Sequence, residues 1–248
     1  MGKSTLVANM GIALAESGHR VVLFDADLAL ANLDVILGLK SDVRVQHTLE
    51  GKASLTDAMV EGPAGIKVIT GDSGLGKMIR LSRKRLATFL EEQVRDLASS
   101  TDFLIFDASA GTDAKVITFA RAADEVVLIV TPDPASIVDA CATAKVLFRS
   151  KPDAKVRVIV NMAESHDQAL KVFRAVESAI SRFLGKAIYF SGGVAFDPKV
   201  SLYNRAKSAV MLSAPTFHVS RDMRKVAGLI AAAPLSSPPQ VVKTRRAA

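Results

Sequence analysis

Short runs of apolar and β-branched residues alternate with amphipathic segments along almost the whole chain, and this alternation constrains the fold most strongly. The apolar runs have the length of strands and occupy Val21–Asp25, Ile66–Thr70, Phe103–Asp107, Val126–Thr131, Val156–Asn161 and Ala187–Phe190. The amphipathic segments predict helices over Leu6–Ser17, Lys84–Ser99, Ala114–Ala123, Ala135–Phe148, Gln168–Leu184 and Thr216–Ala232. Strands that are apolar along their whole length are buried on both faces, as in parallel sheets covered by helices. The sequence therefore predicts an α/β fold with a single doubly wound, mostly parallel sheet.

One domain over residues 1–233 accounts for all of these segments, and residues 234–248 form a basic tail that we expect to be disordered. The chain has 248 residues, of which 49% are apolar, and this is enough to build one large core. Its longest apolar run, Val226 to Leu235, has ten residues, whereas a bilayer-spanning helix needs about 20. Its one cysteine, Cys141, cannot form an intrachain disulfide, so we expect a cytoplasmic location.

Polar side chains stand at the carboxyl ends of several predicted strands. Asp25 and Asp27 follow the first strand, and Asp107 ends the third. Asn161 ends the fifth strand in the same way. Ligands of open parallel sheets bind at this edge, and a carboxylate beside a phosphate loop is where magnesium is held. A single aspartate at such a position is more simply the cap of a turn, but three carboxylates on two strands favour a magnesium site.

The segment Gly2-Lys3-Ser4-Thr5 precedes the first predicted helix and matches the second half of the phosphate-binding motif G-x-x-x-x-G-K-[ST]. The glycine lets backbone N–H groups approach a phosphate, the lysine balances the charge of the β- and γ-phosphates, and the serine hydroxyl is a magnesium ligand. The helix N-terminus adds the positive end of a dipole. The half-motif is short enough to occur by chance, so its context decides its meaning.

A second glycine-rich segment, Gly71 to Met78, has the full spacing of the same motif except at its last position. There Met78 replaces the Ser or Thr whose hydroxyl binds magnesium, and a thioether is too soft a ligand for that hard cation. We therefore interpret this segment as a glycine turn rather than as a phosphate site.

Several segments together resemble the MinD/ParA family of P-loop ATPases. They are Gly2–Thr5, Val22–Asp27, Ala31–Gly38, Asp107–Gly111 and Thr131–Pro134 followed by Asp139-Ala140. The resemblance covers residues 2–232 and looks closest to the FlhG/FleN branch, which controls the number and placement of flagella. It implies a P-loop NTPase fold, ATP and Mg²⁺ as cofactors, and a slow ATPase that dimerises across the nucleotide and separates after hydrolysis.

The same resemblance assigns roles to individual residues of these segments. The nucleotide would be bound by Gly2, Lys3, Ser4, Thr5 and Asn161, the last of which would contact the adenine. Magnesium would be held by Ser4 and Asp107, with Asp25 nearby. Lys3 and Asp27 would be catalytic, because Lys3 contacts the phosphates and Asp27 orients the attacking water.

The sequence departs from the family pattern at its first residue. The family loop reads Lys-Gly-Gly-x-Gly-Lys-[Ser/Thr]-Thr after a β-strand, whereas Met1 stands here in place of the residue before the last glycine. The signature lysine, the first glycines and a strand from the middle of the sheet are thus missing. Because each unpaired backbone group left in a sheet costs about 1–3 kcal/mol, we expect the true chain to begin upstream. The alternative is a scaffold that keeps the fold without ATPase activity.

The net charge of +7 is concentrated in two clusters of basic residues, which leaves the rest of the chain nearly neutral. The clusters comprise Lys77, Arg80, Arg83, Lys84 and Arg85, and then Lys243, Arg245 and Arg246. The resemblance implies an ATP-dependent homodimer, with an FlhF-type GTPase and flagellar basal-body or regulatory proteins as partners. The alternative is a ParA/MinD-type partitioning or division-site ATPase that contacts DNA, or the inner face of the cell membrane, through these clusters.

Overall fold

The computed structural model describes residues 2–27, 31–71 and 82–232. Residues 72–78 of the second glycine-rich segment, the basic residues Lys77 and Arg80, and the tail over 234–248 lie outside the described residues. The described residues form an α/β fold in which strands and helices alternate, as the sequence predicts.

Strands form at all six predicted positions, and one further short strand precedes the second of them. The strands are β1 (Val21–Asp25), β2 (Met59–Glu61), β3 (Lys67–Ile69), β4 (Phe103–Asp107), β5 (Glu125–Val130), β6 (Lys155–Ala163) and β7 (Tyr189–Ala195). β1 and β4 have the predicted bounds, whereas β7 extends well beyond its predicted end. β2 was not predicted because the apolar run that contains it, Ala58–Val60, is only three residues long and is flanked by acidic residues.

Helices cover all six predicted segments, together with four short helices that the sequence analysis missed. They are α1 (Lys3–Glu16), α2 (Leu33–Leu37), α3 (Val45–Leu49), α4 (Arg83–Phe89), α5 (Arg95–Ser99), α6 (Ala114–Ala122), α7 (Pro134–Ser150), α8 (His166–Leu184), α9 (Lys199–Arg205), α10 (Val210–Ser213) and α11 (His218–Ala232). A π-helical turn over Leu90–Val94 joins α4 to α5. Among the described helices, none is both long and apolar enough to cross a membrane.

The strands of the described residues form two hydrogen-bonded sheets, with the gap in the middle of the strand order, where the sequence analysis expects a strand of the single sheet to be missing. Their orders are β2-β3-β1-β4 and β5-β6-β7, and every pair is parallel except β2 with β3. The mostly parallel pairing is as predicted. The division falls between β4 and β5, because no strand in the described ranges pairs with both of them.

One hydrophobic cluster nevertheless covers the same face of both sheets, with α1 and α11 above it. The residues that the two facing edge strands add to this cluster are Phe103, Ile105, Val127 and Ile129. α1 lies close to β1, since a Cβ atom added at Gly11 would stand 2.8 Å from the Cδ2 atom of Leu23. The buried Asn9 ties α1 to α10, because its Oδ1 accepts the backbone N–H of Met211 at 2.9 Å. These two contacts hold α1 against β1 and α10.

Candidate functional site

The N-terminus of α1 presents backbone donors that the helix itself does not use. Gly2 precedes the helix in a left-handed conformation, with φ of 71°, and as a glycine it has no side chain that could cap this end. The first intrahelical bond is made by the N–H of Leu6, which donates to Gly2 O at 3.0 Å. The N–H groups of the first turn and the positive end of the helix dipole suit an anion such as a phosphate.

Asp107 brings the predicted phosphate segment and the strand-end carboxylates together. It is paired in register with Asp25 where β4 and β1 end, and it is 3% exposed. Burial raises the pKa of the Asp107 carboxyl, and the charge of Asp27 raises it further. A hydrogen bond from the Ser4 side chain and the charge of Lys3 act in the opposite direction and lower this pKa. Side chains from α1, from β4 and from the segment after β1 therefore interact at one point, and the roles assigned to them stay predictions.

Asp25 organises the chain that leaves β1. It is fully buried, and its Oδ2 accepts the N–H groups of Asn32 and Leu33 at 3.0 and 3.1 Å. Its Oδ1 accepts the N–H of Asp27 at 3.2 Å. Burial raises the pKa of Asp25 to about 7, against the lowering effect of these bonds. The structure thus gives Asp25 a structural task, and its part in holding magnesium stays a prediction.

Ser4 and Asp107 have the donor set that magnesium requires. No group of three or more His, Cys, Asp or Glu side chains in the described ranges is placed to hold a metal ion by itself. Mg²⁺ is usually bound by one or two protein oxygens together with substrate phosphates, and a serine hydroxyl beside a carboxylate fits that pattern. Ser4 and Asp107 are the residues that would hold it.

Asn161 lies beside Gly2, at an irregular part of β6. The pairing of β6 with β7 shifts register on both sides of Asn161, and the next residue, Met162, has a φ of 59°. A Cβ atom added at Gly2 would stand 3.0 Å from Asn161 Nδ2. A non-glycine residue with positive φ costs energy and is typical of functional sites. The bulge therefore places Asn161 beside the start of α1, and its contact with the adenine stays a prediction.

A cavity of about 290 Å³ adjoins Gly2 and Asn161. Its lining includes residues that the sequence analysis did not predict, namely Met162, Phe196, Asp197, Pro198, Ser201 and Asn204. They come from the end of β6, the segment after β7 and α9, and only the tertiary fold brings them to α1. A larger open groove of about 780 Å³ lies between residues 48–59 and 92–100 and contains none of the predicted site residues.

Two features discussed in the sequence analysis, the first basic cluster and Cys141, lie outside this site. Arg85 of the first basic cluster donates from Nη2 to the carbonyl oxygen of Leu49 at 2.8 Å, and Arg83, Lys84 and Arg85 are all exposed. Cys141 is partly buried on α7, and burial raises the pKa of its thiol, which does not favour a nucleophilic thiolate.

Residues 1–208 match the sequence model of the CobQ/CobB/MinD/ParA nucleotide binding domain. The chain belongs to this family. Among curated members, it is 34% identical over 240 residues to the antiactivator FleN of Pseudomonas aeruginosa. The matched region covers 97% of this chain and 85% of FleN. It is also 32% identical over 232 residues to the flagellum site-determining protein YlxH of Helicobacter pylori, and this match covers 93% of this chain and 78% of YlxH. This MinD/ParA family chain is thus similar to the FlhG/FleN branch.

Solved structures of the MinD/ParA family support the fold. The septum site-determining protein MinD from Pyrococcus horikoshii, solved with Mg-ADP, superposes with a TM-score of 0.78 over 92% of this chain and 90% of that one, at 21% identity. MinD from Aquifex aeolicus superposes with a TM-score of 0.74 over 94% of this chain and 92% of that one, at 26% identity. The P-loop NTPase fold that the resemblance implied is therefore correct.

Proposed function

We propose that this chain binds and slowly hydrolyses ATP, and that it acts as a dimerising switch that regulates the number or placement of flagella. The observation that carries the ATPase part is the meeting of Lys3 and Ser4, at the N-terminus of α1, with Asp27 and the buried Asp107. The similarity to FleN and YlxH supports the flagellar part. Partners would be a second copy of the chain, an FlhF-type GTPase and flagellar basal-body or regulatory proteins.

Each residue of the site has a task that its position suits. Lys3 and the first N–H groups of α1 would bind the phosphates, and Asn161 would contact the adenine. Mg²⁺, held by Ser4 and Asp107, would balance phosphate charge when bound. Asp27 would orient a water whose oxygen bonds to the γ-phosphorus as the bond to the bridging oxygen of ADP breaks.

The segments around Asp27 are tied together in a way that suits a switch. Asp25 holds both the N–H of Asp27 and the start of α2. Arg44 Nη1 then donates to Asp34 Oδ2 on α2 at 3.1 Å and to Gly71 O after β3 at 2.6 Å. A displacement of Asp27 on loss of the γ-phosphate would reach α2 and the end of β3 through these bonds.

The biochemical test compares ATP turnover and oligomeric state for the protein as its host makes it, with Mg²⁺ present. Lys3→Ala should abolish ATP binding and dimerisation together, because it removes the charge that balances the phosphates. Asp27→Ala should retain an ATP-bound dimer with little turnover. Lys145→Ala and Asp153→Ala, which change exposed residues of the same types, are the matched controls. Full ATP affinity in Lys3→Ala, or unchanged turnover in Asp27→Ala, would refute the assigned roles.

The cellular test separates a switch from a nucleotide-free scaffold. Cells that carry Lys3→Ala should have an abnormal number or position of flagella, as cells without the gene should. Normal flagella in the variant would favour the scaffold. Binding to random duplex DNA that falls steeply with salt, together with normal flagella in cells without the gene, would favour a partitioning ATPase instead.

A further inference from the structure

Asn204 links the cavity beside α1 to the first turn of that helix. It lies on α9, and it lines the cavity of about 290 Å³ together with Gly2, Thr5 and Asn161. Its Nδ2 donates a hydrogen bond to Thr5 Oγ1 at 2.9 Å, across 199 residues of sequence. This bond connects α9 directly to the turn that we assign to phosphate binding.

The other end of the Asn204 amide is not satisfied. Its Oδ1 is buried and has no hydrogen-bond partner in the part of the chain that the structure describes. A buried carbonyl oxygen without a donor is costly, and most such groups in native proteins are paired. Because the amide oxygen and nitrogen point in different directions, the bond to Thr5 turns Oδ1 away from the threonine hydroxyl. A ligand that brings an O–H or N–H donor into the cavity would satisfy Oδ1.

We propose that Asn204 Oδ1 accepts a hydrogen bond from a ribose hydroxyl of the bound nucleotide, and that Asn204 thereby selects ribonucleotides over deoxyribonucleotides. This inference rests on the proposed function and adds a specificity-determining residue to it. The ribose is favoured over the base because Asn204 bonds to Thr5, in the phosphate-binding turn, and the ribose is the part of a nucleotide next to its phosphates. The base is assigned to Asn161 instead.

The test measures dissociation constants of ATP, 2′-deoxy-ATP, 3′-deoxy-ATP and ITP for the protein as its host makes it. One of the deoxy analogues should bind about tenfold more weakly than ATP, because it leaves Oδ1 buried without a donor. ITP, which lacks the 6-amino group, should keep the same ribose contact. If ITP binds more weakly than ATP, and Asn204→Leu removes that difference in affinity, Asn204 recognises the base. That result would overturn the proposal.

Two substitutions separate ligand recognition from a purely structural task. Asn204→Leu keeps the size of the side chain, removes both polar ends, and should reduce the preference for ATP over the deoxy analogue from about tenfold to about onefold. Asn204→Asp keeps an acceptor and should keep the preference, although its charge weakens binding of every nucleotide. Leu202→Ala, a change at an exposed residue of the same helix, is the control and should leave the preference unchanged.

The outcomes distinguish this inference from the function on which it rests. Failure of every nucleotide to bind would refute the proposed function itself. Equal affinity of the wild-type protein for ATP and both deoxy analogues would refute only the role of Asn204. A Leu variant that weakens all nucleotides by the same factor would show that Asn204 merely supports the fold, and would also overturn the inference.

Discussion

Ionisation of Asp25 should make the nucleotide-free protein less stable as the pH rises. The carboxyl is fully buried, and burial raises its pKa from the usual 3.8 to about 7. Below about pH 4 the group is protonated in both states, so it has no effect. Between the two pKa values the unfolded chain is ionised while the native protein keeps the proton, so stability falls with rising pH. Above about pH 7 both states are ionised and the penalty is constant.

The size of the effect follows from the shift. Each unit of pKa difference corresponds to about 1.4 kcal/mol, so the full penalty above pH 7 is about 4 kcal/mol. Between pH 5 and pH 8, ionisation of Asp25 alone should lower the free energy of unfolding by about 3 kcal/mol. Burial also raises the pKa of Asp107, which adds a contribution of the same sign in the wild type.

The assay is urea unfolding at pH 5 and pH 8, without nucleotide and with a chelator, on the wild type and on Asp25→Asn. The asparagine cannot ionise, so the stability loss between the two pH values should be about 3 kcal/mol smaller in the variant. Asp57→Asn is the control, because Asp57 is exposed and hydrogen bonds from Ser54 lower its pKa, whereas burial raises that of Asp25. An equal loss of stability in the wild type and in Asp25→Asn would refute the account of Asp25.

Three further substitutions test the packing that positions the site. Gly2→Ala should weaken ATP binding about tenfold, because Gly2 has a positive φ and a Cβ atom at this position would crowd Asn161. An unchanged affinity for ATP would contradict this. Asn9→Leu should lower the free energy of unfolding by about 1–3 kcal/mol, because it leaves a buried N–H of α10 unpaired. A loss below ~0.5 kcal/mol in urea unfolding would contradict this. Gly193→Ala should cost about 1–3 kcal/mol, because its Cβ would stand 2.7 Å from Ala169 Cβ, and an unchanged thermal midpoint would count against it.

The sequence predicted the elements whose pattern is local. β1 and β4 have the predicted bounds because each is a continuous apolar run that ends in an aspartate. The end of β7 was predicted too early, because Ser191-Gly192-Gly193 looks like a turn. In the structure Gly193 is part of the strand, and its missing side chain leaves room for α8. No local pattern distinguishes a glycine that allows close packing from a glycine that makes a turn.

The sequence predicts those candidate site residues whose role is indicated by a single local segment. Lys3 and Ser4 follow from the phosphate motif, and Asp107 follows from its place at the end of a strand. Asn204 was missed because its bond to Thr5 depends entirely on how α9 folds back onto α1. The division of the strand order between β4 and β5 agrees with the expectation of a mostly parallel sheet that lacks a middle strand.

The central claim is that the N-terminus of α1 and Asp107 together form a Mg²⁺-dependent ATP site. Calorimetric titration of ATP into the protein as its host makes it, with and without Mg²⁺, tests this most directly. We predict binding that requires Mg²⁺ and that is lost in Lys3→Ala and greatly weakened in Asp107→Ala. ATP binding of equal strength with and without Mg²⁺, or unaffected by both substitutions, would contradict the account.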